Sequence, residues 1–527
     1  MSRFLVTWDD PADAELSWEW DDMHMPFPLA PLAADYVLAI AGGFDYRYLK
    51  LRLPLRIRGR IWHGYAYFAE VLDVPEHQRA RFGQRIKSAR RQAARRARRY
   101  WDGHVMPGLR ECYATIASVA VESLSPAELA ESWQAAWAAT DRAWQFHFAA
   151  ISGVYAVLDE LADRYEAIVP GASPGEALRL VQGAPTEIQA VERELHALAE
   201  MARRHPAVTD WLRAEPAGGD EAPEADFAAA LAAFLERHGH LGQPFDDLTL
   251  PSWGEQPALL RAELRKRLDQ PAEDPEARRL RLRREADELA AALLARLPEG
   301  DERRAPFEST LALARDIGPL SEGHNYWIDR MAQARLRALC MRVGHRLVRA
   351  GVIEHAEDIF YLHRSEVPEL LLAPADRRAL VGERRAEHDR QRSIQPPRFL
   401  GKPPDDGPAG RFDQPRPEQP VADRLTGIGA SAGVARGPAR VVLSPADFGR
   451  VQPGDVIVCP SSNPSWVPLF AIAAGLVTNT GGVLSHAAVV AREFGLPAVV
   501  GTGEATRRIA DDRLVELDGA TGEVRLL

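Results

Sequence analysis

Apolar residues recur at three- and four-residue spacing through most of the first four hundred positions of the chain. The segments AELAESWQAAW at 127–137 and ADELAAALLARL at 286–297 show this spacing clearly. Such spacing places the apolar side chains on one face of a helix, and alanine, leucine, arginine and glutamate are good helix formers. The pattern therefore predicts a mainly α-helical N-terminal and central region over residues 1–394.

Two parts of the chain depart from the helical pattern. LRLPLRIRGRIWHGYAYF at 51–68 partly alternates between polar and apolar residues, which predicts a small β element. After residue 425 the chain carries short apolar runs bounded by Gly, Pro or Asp, namely GPARVVL, GDVIVCP, GLVTN, LPAVVG and RLVELDG. Two apolar helices are predicted among them, near SWVPLFAIAAG and at HAAVVAREFG. The predicted fold class is multidomain, with a C-terminal α/β domain at 425–527.

A proline-rich segment separates these two regions. Eight prolines fall between 396 and 420 in PPRFLGKPPDDGPAGRFDQPRPEQP. Proline fixes φ and lacks a backbone donor, so residues 395–424 are predicted to form an extended, semi-rigid linker. Such a linker allows the C-terminal domain to move. An ordered loop that wraps on a surface is the alternative.

Composition limits the class of protein. The net charge of −10 and the pI near 5.9 argue against a general nucleic-acid binder. The acidic N-terminus lacks a signal-peptide core, and no uncharged apolar run approaches the roughly 18–20 residues that span a bilayer. Three cysteines far apart in the sequence indicate neither a disulfide framework nor a zinc cluster. We therefore expect a cytoplasmic protein that binds neither nucleic acid nor membrane.

Arginine and lysine crowd one predicted helix at 85–99, in RIKSARRQAARRARR. A solvated helix face is the favoured interpretation, and a docking surface for an acidic partner is the alternative.

Candidate chemistry centres on TNTGGVLSHAAVVAREFGLPAVVG at 478–501. A helix predicted to begin at His486 follows a glycine-rich turn, and its N-terminus favours a bound phosphate and disfavours an imidazolium. His486 is therefore predicted to be a neutral, nucleophilic histidine that accepts a phosphoryl group. The residues predicted to support the phosphate are Thr478, Gly481, Gly482, Ser485 as helix cap, and Arg492, for which pairing within the domain is the alternative. The chain has no GxxxxGKS or GxxxxGKT motif and no HExxH motif, so neither a nucleotide site nor a metal site is predicted in it.

The combination of GG, SHAA, AR and PAVVG in this stretch resembles the mobile phosphohistidine domain of phosphoenolpyruvate-utilising enzymes. This group includes pyruvate phosphate dikinase, phosphoenolpyruvate synthase and rifampin phosphotransferase. The resemblance implies that His486 becomes phosphorylated and that its domain swivels on the linker to carry phosphate between distant sites.

A weaker resemblance extends over the helical region. ERHGHLGQPFDDLTLPSWGEQP, EGHNYWIDR and GVIEHAEDIFYL are similar to the acceptor-holding region of the rifampin-phosphotransferase-like branch. That branch has a GHRG-like tetrapeptide where this chain has Gly-His-Leu-Gly at 239–242. The acceptor-site candidates are His240, His324 and Asp358, and a structural hydrogen-bonding role is the alternative for each.

The resemblance also implies a split phosphotransferase. The fused branch begins with an ATP-grasp domain, whereas this chain starts in the acceptor-like region and stops shortly after the histidine domain. ATP and Mg²⁺ are therefore expected on a separate ATP-grasp partner, which converts ATP to AMP and phosphate, and a small molecule is expected as acceptor. The alternatives are phosphoenolpyruvate as donor, a non-catalytic phosphocarrier or regulatory protein, and a degenerate relative that is never phosphorylated.

Overall fold

The computed structural model of the chain divides into two compact units. It describes residues 4–22, 24–50, 55–72, 75–172, 174–214, 221–242, 246–268, 274–394, 396–402, 423–443, 445–462, 466–482 and 485–527. The first unit comprises Met1–Ser152, Phe245–Pro251 and Trp327–Arg411, and the second comprises Gly153–Pro244, Ser252–Tyr326 and Phe412–Leu527. The helical region predicted at 1–394 is thus shared between the two units.

Helices form most of the chain before residue 395, as the apolar spacing predicts. Before residue 395 they are, in chain order, α1 (Pro31–Lys50), α2 (Arg79–Ala94), α3 (Ala97–Tyr100), α4 (Met106–Ala117), α5 (Pro126–Ile168), α6 (Pro174–Leu178), α7 (Glu187–Arg204), α8 (Pro206–Arg213), α9 (Ala225–His238), α10 (Pro257–Leu268), α11 (Pro275–Ala295), α12 (Arg304–Ile317), α13 (Leu320–His324), α14 (Met331–Arg349), α15 (Glu366–Leu372) and α16 (Arg378–Gln391). The C-terminal part of the chain adds α17 (Val467–Phe470), α18 (His486–Phe494) and α19 (Ala505–Arg508). Two π-helical turns lie between helices: Trp101–Val105 between α3 and α4, and Asn325–Arg330 between α13 and α14.

Strands form two sheets. They are β1 (Ser17–Trp20), β2 (Leu55–Trp62), β3 (Tyr65–Leu72), β4 (Phe399–Gly401), β5 (Arg424–Thr426), β6 (Ile428–Ser431), β7 (Val434–Val441), β8 (Val456–Cys459), β9 (Gly475–Thr478), β10 (Ala498–Val500), β11 (Leu514–Asp518) and β12 (Glu523–Leu526). The first unit contains a four-stranded sheet in the order β2-β3-β1-β4, and the second contains an eight-stranded sheet in the order β5-β12-β11-β7-β8-β9-β10-β6.

The four-stranded sheet contains the β element predicted from the alternating pattern near residue 60. Strands β2 and β3 pair antiparallel around a turn in which Gly64 has a φ of 78°. Trp18 and Tyr67 are fully buried on one face, and the Tyr67 hydroxyl donates a hydrogen bond to the Pro397 carbonyl at 2.7 Å. Residues 51–54 of the predicted element lie outside the described residues.

The proline-rich linker is only partly described. Its residues 399–401 form β4, which pairs antiparallel with β1. Residues 395 and 403–422 lie outside the described residues. The predicted boundaries of the linker, 395 and 424, stay predictions.

The C-terminal domain is the α/β structure that its short apolar runs predict. Strands β7, β8, β9 and β10 run parallel to one another, and the remaining strands pair antiparallel at both sides. All four residues of β8 and of β9 are buried, as expected for central strands covered on both faces. The predicted multidomain fold class is confirmed, while α17 is shorter than predicted and β5, β6 and β12 were not predicted.

A buried ion cluster joins two helices of the second unit, α7 and α10. The Arg267 guanidinium donates to both carboxylate oxygens of Glu192, at 2.9 and 3.0 Å, and to Glu263 at 2.9 Å. The three residues are at most 8% exposed. Because each charge is paired and hydrogen bonded, the cluster avoids the large cost of an isolated buried ion.

Among the described residues, every helix is too short or too polar to cross a lipid bilayer.

Candidate functional site

Helix α18 begins at His486, as the sequence predicts. Ser485 is its N-cap, with an extended backbone (φ −65°, ψ 156°), and its hydroxyl accepts a hydrogen bond from the Ala488 amide. The helix ends at Gly495 in the left-handed conformation. An N-terminus of this kind leaves amide groups available to an anion, so the backbone position of His486 suits a residue that carries phosphate.

The loop that precedes α18 is held at the carboxyl edge of the parallel strands. The Thr480 amide donates to the Pro460 carbonyl that follows β8, at 3.0 Å. The Thr502 amide and hydroxyl, which follow β10, both donate to the Thr478 carbonyl, at 3.0 and 2.8 Å. The loops after β8, β9 and β10 are therefore bonded to one another, which gives the loop before α18 a fixed base. Ligands of open parallel sheets bind at this edge.

Gly481, the first of the two glycines before α18, has a backbone conformation that L-residues rarely adopt. The predicted support of a phosphate by Gly481 and Gly482 stays a prediction. Gly481 has a φ of 114°, and a Cβ added there would lie 2.8 Å from the Ser485 hydroxyl oxygen. The Gly482 carbonyl accepts a hydrogen bond from the Ser485 amide at 2.9 Å. Any side chain at 481 would thus collide with the residue that caps α18, because the loop passes directly over the cap.

Sequence reasoning missed the residues that brace this loop from outside the motif. The Asn479 side chain accepts from the Thr506 amide at 2.9 Å and donates to the Thr506 hydroxyl at 2.7 Å. Thr506 lies in α19. Asn479 and Thr506 are 27 positions apart, so no local sequence pattern indicates this pair.

Arg492 lies away from the start of the helix and inside the domain. It is 5% exposed, and its guanidinium donates to the Ala430 carbonyl of β6 at 2.8 Å. Burial lowers the pKa of Arg492 to about 10, although the carboxylates of Glu493 and Glu322 act in the opposite direction. These contacts match the predicted alternative of pairing within the domain, and the predicted support of a phosphate stays a prediction.

The C-terminal end of α18 packs against the helices of its own unit. Gln182 donates from Nε2 to the Arg492 carbonyl at 2.9 Å, and the Arg278 guanidinium lies 4.4 Å from the centre of the Phe494 ring. Gly175 also approaches the domain closely, since a Cβ there would lie 2.7 Å from the Gly429 carbonyl oxygen. We call this contact of α18 with Gln182 and Arg278 the docking contact.

Glu493 is an acidic residue next to the docking contact, between Arg492 and Phe494. The residue keeps part of its surface exposed, yet its Oε2 is buried and has no hydrogen-bond partner among the described residues. Burial and the neighbouring Glu322 carboxylate raise the pKa of Glu493 well above its ordinary value, and Arg492 and Arg278 oppose this only in part. The Glu187 carboxylate on α7 adds to the rise. Folding therefore makes the Glu493 carboxyl group a weaker acid than it is in the unfolded chain.

We expect Glu493→Gln to make the stability of the second unit less dependent on pH. The folded chain holds the Glu493 proton to a higher pH than the unfolded chain, which releases it around the ordinary pKa of 4.5. Because the unfolded state then binds fewer protons, wild-type stability falls by about 1.4 kcal/mol per pH unit from there towards the folded pKa. As the pH is raised above the ordinary pKa of 4.5, thermal midpoints should decline less in Glu493→Gln than in wild type. The exposed Glu299→Gln is the control, and parallel profiles for wild type and Glu493→Gln would contradict the prediction.

His240 and His324, two of the predicted acceptor-site residues, both belong to the second unit and are buried. The His240 ring lies 4.5 Å from the Tyr326 ring in an edge-to-face contact, and the His324 Nδ1 lies 3.0 Å from the Leu320 carbonyl oxygen. The segment 239–242 is held by hydrogen bonds from the amides of Trp253 and Gly254. The predicted role of His240 and His324 at an acceptor stays a prediction.

Asp358, the third candidate, belongs to the first unit. Its Oδ2 accepts from the amides of Glu354 and His355 at 3.1 and 2.9 Å, and its Oδ1 is paired with Arg385. These are the contacts of a carboxylate that caps a 3₁₀ turn, which was the predicted structural alternative.

One group in the second unit has the composition of a metal site. His205, Glu224 and Asp226 each place a ligand atom within 4.8 Å of the others. Asp226 is exposed, and its Oδ2 lies 3.7 Å from the His205 Nε2. Exposed acidic groups of this kind occur without a metal, so we assign no cofactor to it. The ATP and Mg²⁺ expected on a partner stay predictions.

Comparison with known protein families supports the resemblance seen in the sequence. Residues 451–522 match the mobile domain of PEP-utilising enzymes, and residues 145–322 match the fourth domain of rifampicin phosphotransferase. The first match contains α18 and the loop that precedes it. The second contains His240 and part of the docking contact.

Individual relatives extend the comparison. Chondramide synthase cmdD of Chondromyces crocatus is 30% identical over 100% of this chain, which corresponds to 14% of that protein. Rifampicin phosphotransferase of Streptomyces sviceus is 33% identical over 63% of this chain and 38% of its own length. The uncharacterised phosphotransferase YvkC of Bacillus subtilis is 32% identical over 42% of this chain and 27% of its own length. The chain therefore spans well under half the length of these relatives.

Proposed function

Since this chain carries a mobile domain of PEP-utilising enzymes and a rifampicin phosphotransferase fourth domain, we propose that it is a phosphotransferase that carries a phosphoryl group on His486. The observation that carries the proposal is the position of His486. It is the first residue of a helix capped by Ser485, directly after a glycine loop at the carboxyl edge of parallel strands. A histidine there accepts a phosphoryl group beside amides that stabilise the added negative charge.

We infer that a separate ATP-grasp partner supplies the phosphoryl group. That partner binds ATP and Mg²⁺ and converts ATP to AMP and phosphate while it phosphorylates His486. The mobile domain then delivers the group to a small-molecule acceptor in the helical region. Phosphoryl transfer needs mainly positioning and charge stabilisation, so the helical region acts by holding the acceptor.

The alternative function is a phosphocarrier without its own acceptor. A carrier needs only the C-terminal domain, whereas the match to the rifampicin phosphotransferase domain falls on helices at 145–322. That match favours transfer to a small molecule.

Labelling with radioactive phosphate tests the proposal. Full-length wild type, His486→Ala and the exposed-histidine control His355→Ala are incubated with β-labelled ATP or labelled phosphoenolpyruvate in extract of the source cells. Each protein is then re-isolated under mildly alkaline conditions that preserve phosphohistidine. We expect label from ATP on wild type and on His355→Ala, and none above background on His486→Ala, because the phosphate-bearing nitrogen is missing.

Each other outcome has a defined meaning. Label from phosphoenolpyruvate alone would retain His486 as the carrier and overturn the ATP-grasp partner. Equal labelling of His486→Ala, or no label from either donor, would overturn the proposal itself. Transfer of the label to a small molecule in the extract would exclude the phosphocarrier alternative.

A further inference from the structure

Helices α2 and α3 of the first unit carry a run of cations that the proposed function does not use. Residues 79–99 contain ten arginine and lysine residues and no aspartate or glutamate. The whole chain nevertheless has a net charge of −10. The charge of this segment is therefore opposite in sign to that of the chain around it.

Five of these arginine residues lie at the surface of the unit. They are Arg85, Arg91, Arg95, Arg96 and Arg99, and each is exposed. No ion pair joins any of the five to a carboxylate among the residues that the structure describes. We call these five residues the arginine face.

The arginine face stands on a helical backbone. The Arg95 amide donates to the Arg91 carbonyl at 3.4 Å, and the Tyr100 amide donates to the Arg96 carbonyl at 2.8 Å, so the helical path continues from α2 into α3. On the other side of this path Ala97 and Trp101 are each 5% exposed, which fixes the helices against the unit. The arginine residues therefore belong to a folded surface.

A second arginine-rich helix shows how such residues are neutralised elsewhere in the chain. On α11, three arginines pair with carboxylates one turn further on: Arg281 with Glu285, Arg283 with Asp287 and Arg284 with Glu288, at 3.3, 3.2 and 3.9 Å. On the arginine face, Arg91 and Arg95 are instead one turn apart, and like charges at this spacing destabilise a helix. Since the described part of the chain supplies no counter-charge, the arginine face is open to another molecule.

The residues around the arginine face distinguish among anionic partners. Basic helices that bind membranes insert an exposed apolar side, whereas Ile86 is half-buried and Trp101 is buried. Single-stranded nucleic acid stacks on exposed aromatic rings, but Tyr100 is half-buried. A long polyanion would also extend onto the acidic remainder of the chain, which repels it. These features favour a partner whose negative charge is confined to a small area.

We propose that the arginine face is a docking surface for a partner protein that presents a compact acidic surface. Guanidinium groups pair with carboxylates through two parallel hydrogen bonds, and arginine is enriched at protein interfaces. Helix α2 has 16 residues and is about 24 Å long, which matches one acidic helix of a partner. The carboxylates of the partner supply the missing counter-charge and accelerate encounter. This inference does not depend on phosphorylation of His486.

Binding of a defined acidic peptide tests the proposal. A fluorescent helical peptide with glutamate along one face, and its counterpart with glutamine, are titrated with the full-length chain, and fluorescence anisotropy is measured. We expect only the glutamate peptide to bind, with an affinity that falls as salt rises from about 0.05 to about 0.5 M. Arg91→Gln, Arg95→Gln and Arg99→Gln combined should weaken binding about tenfold or more. Glutamine is a good helix former, so α2 and α3 should remain folded.

The matched control combines Arg281→Gln, Arg283→Gln and Arg284→Gln on α11, which removes the same number of charges from arginines that are already paired. It should bind the peptide as wild type does, and circular dichroism should show the same helix content in wild type and both variants. Absence of binding, or equal affinities of wild type and the variant of the arginine face, overturns the docking surface. Equal weakening by both sets of substitutions also overturns it, because total charge would then decide binding. Tighter binding of single-stranded oligouridylate or of phosphatidylserine vesicles than of the peptide, lost in the variant of the arginine face, overturns the choice of a protein partner.

Discussion

Gly481→Ala is expected to slow phosphorylation of His486 by on the order of 100-fold. The added Cβ would lie 2.8 Å from the Ser485 hydroxyl oxygen and 3.1 Å from the Ser485 Cβ, and the φ of 114° is strained for any L-residue. The loop or the cap has to move, and a displacement near 1 Å at a reacting group costs about this factor. The measurement is the initial rate of label incorporation from ATP or phosphoenolpyruvate, whichever donor labels the wild-type protein.

Gly503→Ala is the matched control for this prediction. Gly503 also has a positive φ, 79°, but a Cβ there meets no atom within 4 Å. Both variants therefore carry backbone strain of about 1–3 kcal/mol, and only Gly481→Ala adds the collision with the cap. Equal labelling rates for the two variants would show that contact with Ser485 has no role.

Arg267→Met is expected to lower the free energy of unfolding of the second unit by about 3–5 kcal/mol. The change removes the cation from between Glu192 and Glu263, which are 2% and 7% exposed, and leaves both buried carboxylates without the guanidinium that pairs with them. Burial already raises the pKa of Glu263, and Arg267 is the first of the groups that oppose the rise. The measurement is urea denaturation followed by the helical circular dichroism signal.

Arg281→Met is the corresponding surface control. Arg281 pairs with Glu285 at 3.3 Å on the same helix, and its side chain is 39% exposed. Exposed pairs one turn apart contribute only about 0.3–0.5 kcal/mol, so this variant should unfold close to wild type. A change in Arg267→Met no larger than in Arg281→Met would mean that water reaches the ion cluster.

Local signals explain which parts of the structure the sequence predicts. Helix α18 and its cap depend on residues within four positions of one another, and the glycine that needs a positive φ lies in the same motif. The strands β8 and β9 are continuous apolar runs, as buried parallel strands are. Strands such as β6 are short and contain glycine, so their pairing with β10 is decided by the rest of the sheet.

Pairs far apart in sequence explain what was missed. No local pattern connects Asn479 with Thr506, because the pair exists only after the fold has formed. Asp358 shows the opposite case: the motif suggests a functional role, the contacts in the structure are those of a cap, and the predicted role at an acceptor stays a prediction. A single sequence carries no signal that separates these two cases.

The two ends of helix α18 have different surroundings. Its nine residues span about 14 Å. The docking contact uses the last turn, through the Arg492 carbonyl and the Phe494 ring, whereas the Ser485 cap belongs to the first turn. We therefore expect that loss of the docking contact leaves the Ser485 cap in place. If His486 carries a phosphoryl group, as proposed, that group would then keep its neighbouring helix amides while the domain moves.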